Sequence, residues 1–333
     1  MRRRLALSVL TAASALPWLA ARARAQRRTG SGTATDATAA QAILPLPTPL
    51  AAGSTIVAIA PGTWWDDAGP QSTLLQQRLE SNHWRLRDPA PAMGRWRWFS
   101  APDQERLARL DAAFRERAVD ALFCDSGGWG SARLLELGWR PPAQPRWLVG
   151  FSDASALLLA QTRAGVGGAI HGSTGGSAEQ WQRLVRLLTH QPVEPLQGVG
   201  WGGGTAQGPL VVTNLTVATH LIGTPWFPDL RGCVLVIEDT GEAPYRIDRM
   251  LTQWRSSGVL RGVAGIGIGR FRWAEDDVLP GDLNFHEVFK ERLGSLGVPV
   301  VEQLPVGHGG PNFALPLGRP ARLDARSGLL SLV

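Results

Sequence analysis

From about residue 54 the chain repeats one rhythm: a short apolar run, a glycine-containing loop, then a segment with apolar residues at helical spacing. "TIVAIAPG" (55–62) reads as a buried strand ending in a loop, and "STLLQQRLESN" as a helix. In "DQERLARLDAAFRER" the residues Leu107, Leu110, Ala113 and Phe114 fall on one helical face. "AVDALFCDSGGWG" is a strand running into a glycine loop, "SARLLELG" a helix closed by Gly138, and "RWLVGFSD" a further strand. "ASALLLAQTRAG" is again a glycine-closed helix, and "GAIHG" a short strand. Apolar strands alternating with amphipathic helices imply a parallel sheet covered on both faces, with ligands at the carboxyl ends of its strands. Ser152, "SGGWG" and "APGTWW" all fall at such ends and are expected to converge.

After the glycine-rich "GVGWGGGTAQG" (198–208) the rhythm changes. "PLVVTNL", "GCVLVIEDT", "GVAGIGIGRF", "PVVEQLPVGHG" and "FALPLGRPARLDARSGLLSLV" make a strand-rich half, with helices at "YRIDRMLTQWRSSG" and "NFHEVFKERLGSLG". A chain of 333 residues, 44% of them hydrophobic, can bury two cores. The expected organisation is a Rossmann-like α/β domain over 51–190, a Gly-rich linker over 191–208 and a β-rich α/β domain over 209–333. The site is expected where the two domains meet.

The formal charge of +6 does not describe a nucleic-acid surface. Seven arginines lie in the first 28 residues, which hold no acidic residue, and removing them from +6 leaves −1 for the remainder. "MRRR", the apolar "LALSVLTAASALPWLAA" and the small-x-small "ARA" (23–25) have the anatomy of an export signal over 1–25. The paired arginines before Leu5 are compatible with a twin-arginine route. Residues 26–50 read as a flexible tether, and the expected location is the periplasm without stable membrane insertion. Cys124 and Cys233 sit in apolar runs and read as buried thiols, although export would permit a disulfide. No metal-ligand spacing occurs, and neither a metal nor an organic cofactor is expected. A homodimer is compatible with the sequence.

Three segments carry candidate chemistry. Ser152 follows Gly150 at a strand-to-helix junction, but G-x-S-x-G is matched only in part, since Ser155 takes the last position. On this segment alone the serine reads better as a helix cap than as a nucleophile. "SGGWG" (126–130) offers backbone amides to an anion but lacks the dinucleotide pattern. "VIEDTGEAPYRIDR" places Glu238, Asp239 and Glu242 at a strand end. "VGHGGPN" sets His308 between glycines, the best general base among six histidines, with His171 second.

Together these motifs resemble the LD-carboxypeptidases, also called muramoyltetrapeptide carboxypeptidases, serine peptidases that include the microcin-immunity hydrolases. The resemblance runs from about Ile56 to Asp324 and rests on "FCDSGGWGSARLL", "GFSDASALL", "AIHG", "LIGTPWFPDLRG", "VIEDTGEAPYRIDRMLTQWRSSGVLRGVAGIGIGRF" and "GHGGPNFALPLGRPARLDA". It implies a triad of Ser152, Glu238 and His308, with an oxyanion hole from the amides of Asp153 and Gly128. It also implies the serine on the N-terminal domain and the glutamate and histidine on the C-terminal one. The chain departs from the family where Ser126 and Trp129 replace the arginine and tyrosine of R-G-G-Y-G, in its first loop "APGTWWDD", and at Ser173, where proline is usual.

The activity so implied is hydrolysis of an L,D-amide that releases D-alanine from a peptidoglycan tetrapeptide. Trp64, Trp65 and Trp129 could wall such a peptide, and Arg246 or Arg249 could receive its carboxylate, although "YRIDR" reads equally as a helix ion-pair set. Two rivals differ in class or substrate: a non-catalytic exported receptor for wall peptides, and an immunity-type amidase acting on a peptide–nucleotide conjugate.

Overall fold

The computed structural model describes residues 43–64, 70–87, 95–124, 126–273 and 281–333. The export signal, the tether as far as residue 42, and Trp65 lie outside the described residues.

Five parallel strands build the first sheet: β1 (Thr55–Ile59), β2 (Arg85–Arg87), β3 (Ala121–Cys124), β4 (Trp147–Gly150) and β5 (Ala169–His171). All residues of β3 and β4 are buried, as expected of strands covered on both faces. Helices α1 (Pro70–Ser81), α2 (Asp103–Arg115), α3 (Ser131–Glu136) and α4 (Ser155–Arg163) connect them. Gly138 ends α3 at φ +95°, a conformation that suits only glycine without strain. Helix α5 (Ala178–Leu188) follows, and the sequence analysis passed over it. Ser177 and Gln180 form a reciprocal capping box at its start, and that signature was available in "SAEQ".

The second sheet takes its strands in the order β6-β14-β13-β8-β9-β10-β11-β7. These are β6 (Leu196–Gln197), β7 (Val199–Trp201), β8 (Thr205–Asn214), β9 (Val234–Thr240), β10 (Gly265–Arg272), β11 (Val300–Glu302), β13 (Pro320–Asp324) and β14 (Leu329–Leu332). The run β8–β9–β10–β11 is parallel, and the outer strands are antiparallel. Helices α6 (Leu215–Leu221), α7 (Pro244–Ser257) and α8 (Phe285–Leu293) accompany it. Helix α6, also not anticipated, is capped by Asn214, whose Oδ1 accepts from the Val217 amide at 3.0 Å.

Three segments depart from the expected division. Residues 43–50, read as the end of the tether, are packed on the fold: Leu44 and Leu50 are buried, and their amides donate to the carbonyls of Gly318 and Leu188 at 3.0 and 2.9 Å. The stretch read as a linker over 191–208 contains β6, β7 and the start of β8. Three of its glycines, Gly198, Gly200 and Gly208, serve close approach: a Cβ on Gly200 would lie 1.9 Å from the Ala325 carbonyl oxygen, and one on Gly208 1.9 Å from that of Gly232. The short strand β12 (Leu315–Pro316), from the half assigned to the second domain, pairs antiparallel with β5 and closes an edge of the first sheet. The described residues accordingly belong to one compact unit.

Helix α4 explains much of this cohesion. Eight of its nine residues are buried, and it packs against α6 and β8 as well as against β4 and β5. A helix apolar on all sides belongs in the interior. It begins three residues after Ser152.

Candidate active site

The carboxyl ends of β1, β3 and β4 meet as the alternation predicts. The Thr63 amide donates to the Gly127 carbonyl at 3.2 Å. A Cβ on Gly62 would stand 2.4 Å from Asp153 Oδ2, and one on Gly127 would stand 3.3 Å from Ser152 Oγ. The glycine loop thus lies directly against the serine.

Phe151 is extended, and Ser152 then turns to φ +58°, the left-handed region, before a 3₁₀ turn over Ser152–Ala154 leads into α4. Such a backbone costs a non-glycine residue about 1–3 kcal/mol and persists where its surroundings over-determine it. Here they do. A Cβ on Gly150 would sit 2.8 Å from both Ala154 Cβ and Cys124 Cβ, so the strand and the new helix can approach only at a glycine. The Asp153 carboxylate turns back, accepting from the Gly130 amide at 3.1 Å, the Ser131 amide at 2.9 Å and the Ser131 hydroxyl at 2.6 Å. Burial raises its pKa, against the opposing pull of those donors and of Arg106. The cap positions of the 3₁₀ turn and of α4 fall at Phe151 and Ala154, not at Ser152, so the cap reading of the isolated segment does not describe it.

The second sheet contributes a carboxylate and an imidazole. Glu238, on β9, is fully buried, and its Oε2 lies 2.6 Å from His308 Nδ1 and accepts from the His308 amide at 3.2 Å. The glycine before the histidine is required by this contact. A Cβ on Gly307 (φ +101°) would lie 2.4 Å from Glu238 Cβ and 2.6 Å from its Oε2. Asn312 Oδ1 holds the same loop through the Gly307 amide at 2.9 Å. The other oxygen, Oε1, stands 3.5 Å from Nε2 of His171, which is also fully buried. Burial alone would push the Glu238 carboxyl upward; hydrogen bonding and charge interaction with His171 and His308 outweigh it and hold the pKa down at about 2. An ionised Glu238 accepts, so Nδ1 of His308 carries a proton, and in the neutral ring the lone pair is then on Nε2.

The two halves meet at Phe151. Its ring lies 4.9 Å from that of His308 and 6.1 Å from that of His171, centroid to centroid. The serine therefore stands one residue along the chain from a ring that packs on the imidazole. Among the described residues no hydrogen bond joins Ser152 Oγ to His308; in unliganded serine hydrolases this link is commonly long and tightens with substrate.

Asp239, one residue beyond Glu238, points to the opposite face of β9. It accepts from Asn214 Nδ2 at 3.0 Å, the Thr216 amide at 2.9 Å, the Thr216 hydroxyl at 2.8 Å and the Thr240 amide at 2.8 Å. Burial, helped by the neighbouring Glu238 charge and opposed by these donors, raises its pKa to about 6.

Trp64 and Trp129 are 40% and 43% exposed, and the Arg95 guanidinium stacks over Trp64 at 5.7 Å. Arg246 is half-buried on α7, 3.5 Å from Glu242 and 3.1 Å from the Tyr245 hydroxyl. It does not line the cleft beside His308. Arg270 and Arg272, which the sequence analysis passed over, do line it. The two cysteines are buried and not joined in a disulfide, and burial pushes the Cys233 thiol up to about 12.

Strand ends that bring a strained serine, a buried carboxylate and its imidazole to one cleft belong to hydrolases that work through a serine ester, and this protein is an enzyme of that class. The family follows from comparison. Residues 56–172 match the LD-carboxypeptidase N-terminal domain and residues 207–323 the LD-carboxypeptidase C-terminal domain, so the chain belongs to the LD-carboxypeptidase family. A protein of Synechocystis sp. that bears the name putative carboxypeptidase is 45% identical over 246 residues, covering 72% of this chain and 81% of that one. The murein tetrapeptide carboxypeptidase of Pseudomonas aeruginosa is 32% identical over 289 residues, covering 81% and 92%. The crystal structure of muramoyltetrapeptide carboxypeptidase from Oxalobacter formigenes superposes with a TM-score of 0.68 at 26% identity, covering 84% of this chain and 98% of that one.

Proposed function

We propose that this protein removes the C-terminal D-alanine from murein tetrapeptide stems, with Ser152 as nucleophile, His308 as general base and acid, and Glu238 as the group that orients and charges the imidazole. The observation that carries the roles is the 2.6 Å contact between the fully buried Glu238 and His308 Nδ1, beside a serine held at φ +58°. The substrate follows the names of the P. aeruginosa and O. formigenes relatives.

Nε2 of His308 takes the Ser152 hydroxyl proton as Oγ attacks the carbonyl carbon of the L,D-amide. The charge that develops on the carbonyl oxygen is received by backbone amides, those of Asp153 and Gly128. Collapse of the tetrahedral intermediate breaks the C–N bond, and the imidazolium returns its proton to the departing amine, leaving an acyl ester on Ser152. Water, deprotonated by the same imidazole, then attacks the ester and restores the hydroxyl. Glu238 stays ionised throughout and stabilises the imidazolium, which its depressed pKa suits. Trp129 and Trp64, exposed on neighbouring loops, offer apolar walls to the acyl portion of the stem.

The reaction takes place in the periplasm in this reading, after removal of residues 1–25, whose basic, apolar and small-residue regions have signal anatomy. Fractionation should find a shortened protein in the periplasm; a full-length cytoplasmic protein would overturn that location. For the activity, mass spectrometry of digested muropeptides should show tetrapeptides converted to tripeptides with free D-alanine by the wild type and not by Ser152→Ala. Unconverted tetrapeptide with wild type would sink the reading.

A further inference from the structure

A serine hydrolase of this geometry must place its leaving group on the side of the imidazole that protonates it. The departing D-amino acid thus belongs beside His308, away from the Gly128 loop that receives the oxyanion. A cleft of about 650 Å³ lies there, and its walls include His308, Arg270, Arg272, Trp273, Asn284 and Phe285.

The two arginines are built into the catalytic loops. The pairing of β9 with β10 slips between Ile268 and Phe271, an irregularity of the kind that re-aims side chains. Phe271 turns inward against Phe285 and Phe289, at 5.7 and 4.9 Å, and the alternate residues Arg270 and Arg272 are exposed. Arg270 is bridged to Gly307 and donates its amide to the Val306 carbonyl at 2.7 Å. Arg272 stands opposite Thr240, and its carbonyl accepts from the Gly241 amide at 2.7 Å. One arginine is therefore pinned to the loop of His308 and the other to the strand end of Glu238. Their side chains lie along the glycines after the histidine: a Cβ on Gly309 would stand 3.0 Å from Arg272 Cβ, and one on Gly310 would stand 3.7 Å from Arg270 Nε. Among the described residues neither guanidinium has a carboxylate partner.

We propose that Arg270 and Arg272 receive the free carboxylate of the departing D-amino acid, and so make this enzyme cut only at a chain end. The proposal rests on the carboxypeptidase reading above. A guanidinium offers a planar fork of donors to a carboxylate, and two at one cleft wall hold it in a fixed position relative to the scissile bond.

The test compares a synthetic stem peptide ending in D-alanine with the same peptide ending in D-alaninamide, using wild type and Arg270→Gln/Arg272→Gln. Wild type should prefer the free acid by at least ~100-fold in kcat/KM, on the usual strength of hydrogen bonds to charged groups. The double variant should lose about that factor on the acid, mainly through KM, and much less on the amide, so that the preference collapses. Arg270→Lys/Arg272→Lys should recover part of it. A variant that loses both substrates alike, or retains the preference, overturns the proposal while the carboxypeptidase reading stands. Wild type that releases no D-alanine from the acid overturns both.

Discussion

The two sides of the cleft prepare their groups by opposite means. On the first sheet the arrangement is set by backbone: Ser152 sits at φ +58°, wedged by the contact of Gly150 with Ala154 and Cys124, and it is not the cap of the turn that follows. On the second sheet it is set by side chains: Glu238 is dry, ionised and already bonded to His308 in a loop fitted by Gly307. In the proposed mechanism the nucleophile thus has no hydrogen-bond partner among the described residues, whereas the base is held tightly by Glu238. Each arrangement suits its task, since a hydroxyl must move onto the substrate whereas an imidazole must keep one tautomer and one orientation.

The comparison can be broken from its strongest point downward. Ser152→Ala should lower kcat by about 10⁵-fold or more, as nucleophile removal does in serine hydrolases, with the thermal midpoint unchanged. Glu238→Gln should cost on the order of 10⁴-fold in kcat, because the amide no longer imposes the tautomer; a loss below tenfold would mean that the His308 loop alone orients the ring. His171→Asn comes next. It withdraws the contact on Glu238 Oε1 and should lower kcat about tenfold with little change in KM, which steady-state kinetics will read.

A smaller effect tests the neighbouring carboxyl. Asp239 is raised from its ordinary 3.8 to about 6 by burial. Between those values the folded state keeps a proton that the unfolded state has released, so this group's contribution is fully present below about 4 and lost as pH rises through about 6. Urea unfolding at pH 4 and pH 7 should show Asp239→Asn removing a pH dependence of up to about 3 kcal/mol, whatever its effect on absolute stability. The smallest change is expected at Arg246, whose guanidinium is exposed beside Glu242. Arg246→Ala should leave kcat/KM within about twofold, as exposed pairs contribute little; a large rise in KM would return Arg246 to the substrate.

Much of this was legible residue by residue. The apolar runs that became β1, β3, β4 and β5, and the one-sided helix α2, follow from periodicity and burial, which are local properties. Ser152, Glu238 and His308 were singled out together through motifs that also mark the family. Strands β6 and β7 were hidden because close-packed glycines look like linker glycines in one dimension. Arg270 and Arg272 in "GRFRW" looked like ordinary solvated charges at a strand end. Only the pairing of β10 with the Gly307 loop sets them beside the imidazole.

The sequence by itself determined which elements form and which chemical groups stand at their ends, because strand and helix periods are written in neighbouring residues. Apart from the family resemblance, which names Glu238, it did not decide among Glu238, Asp239 and Glu242, three carboxylates within five positions. The fold did: alternation along β9 turns Glu238 to the imidazoles and Asp239 to Asn214 and Thr216, while Glu242 lies beyond the strand with Arg246. A carboxylate's role depends on what surrounds it once water is gone, and those surroundings come from segments some seventy residues away along the chain.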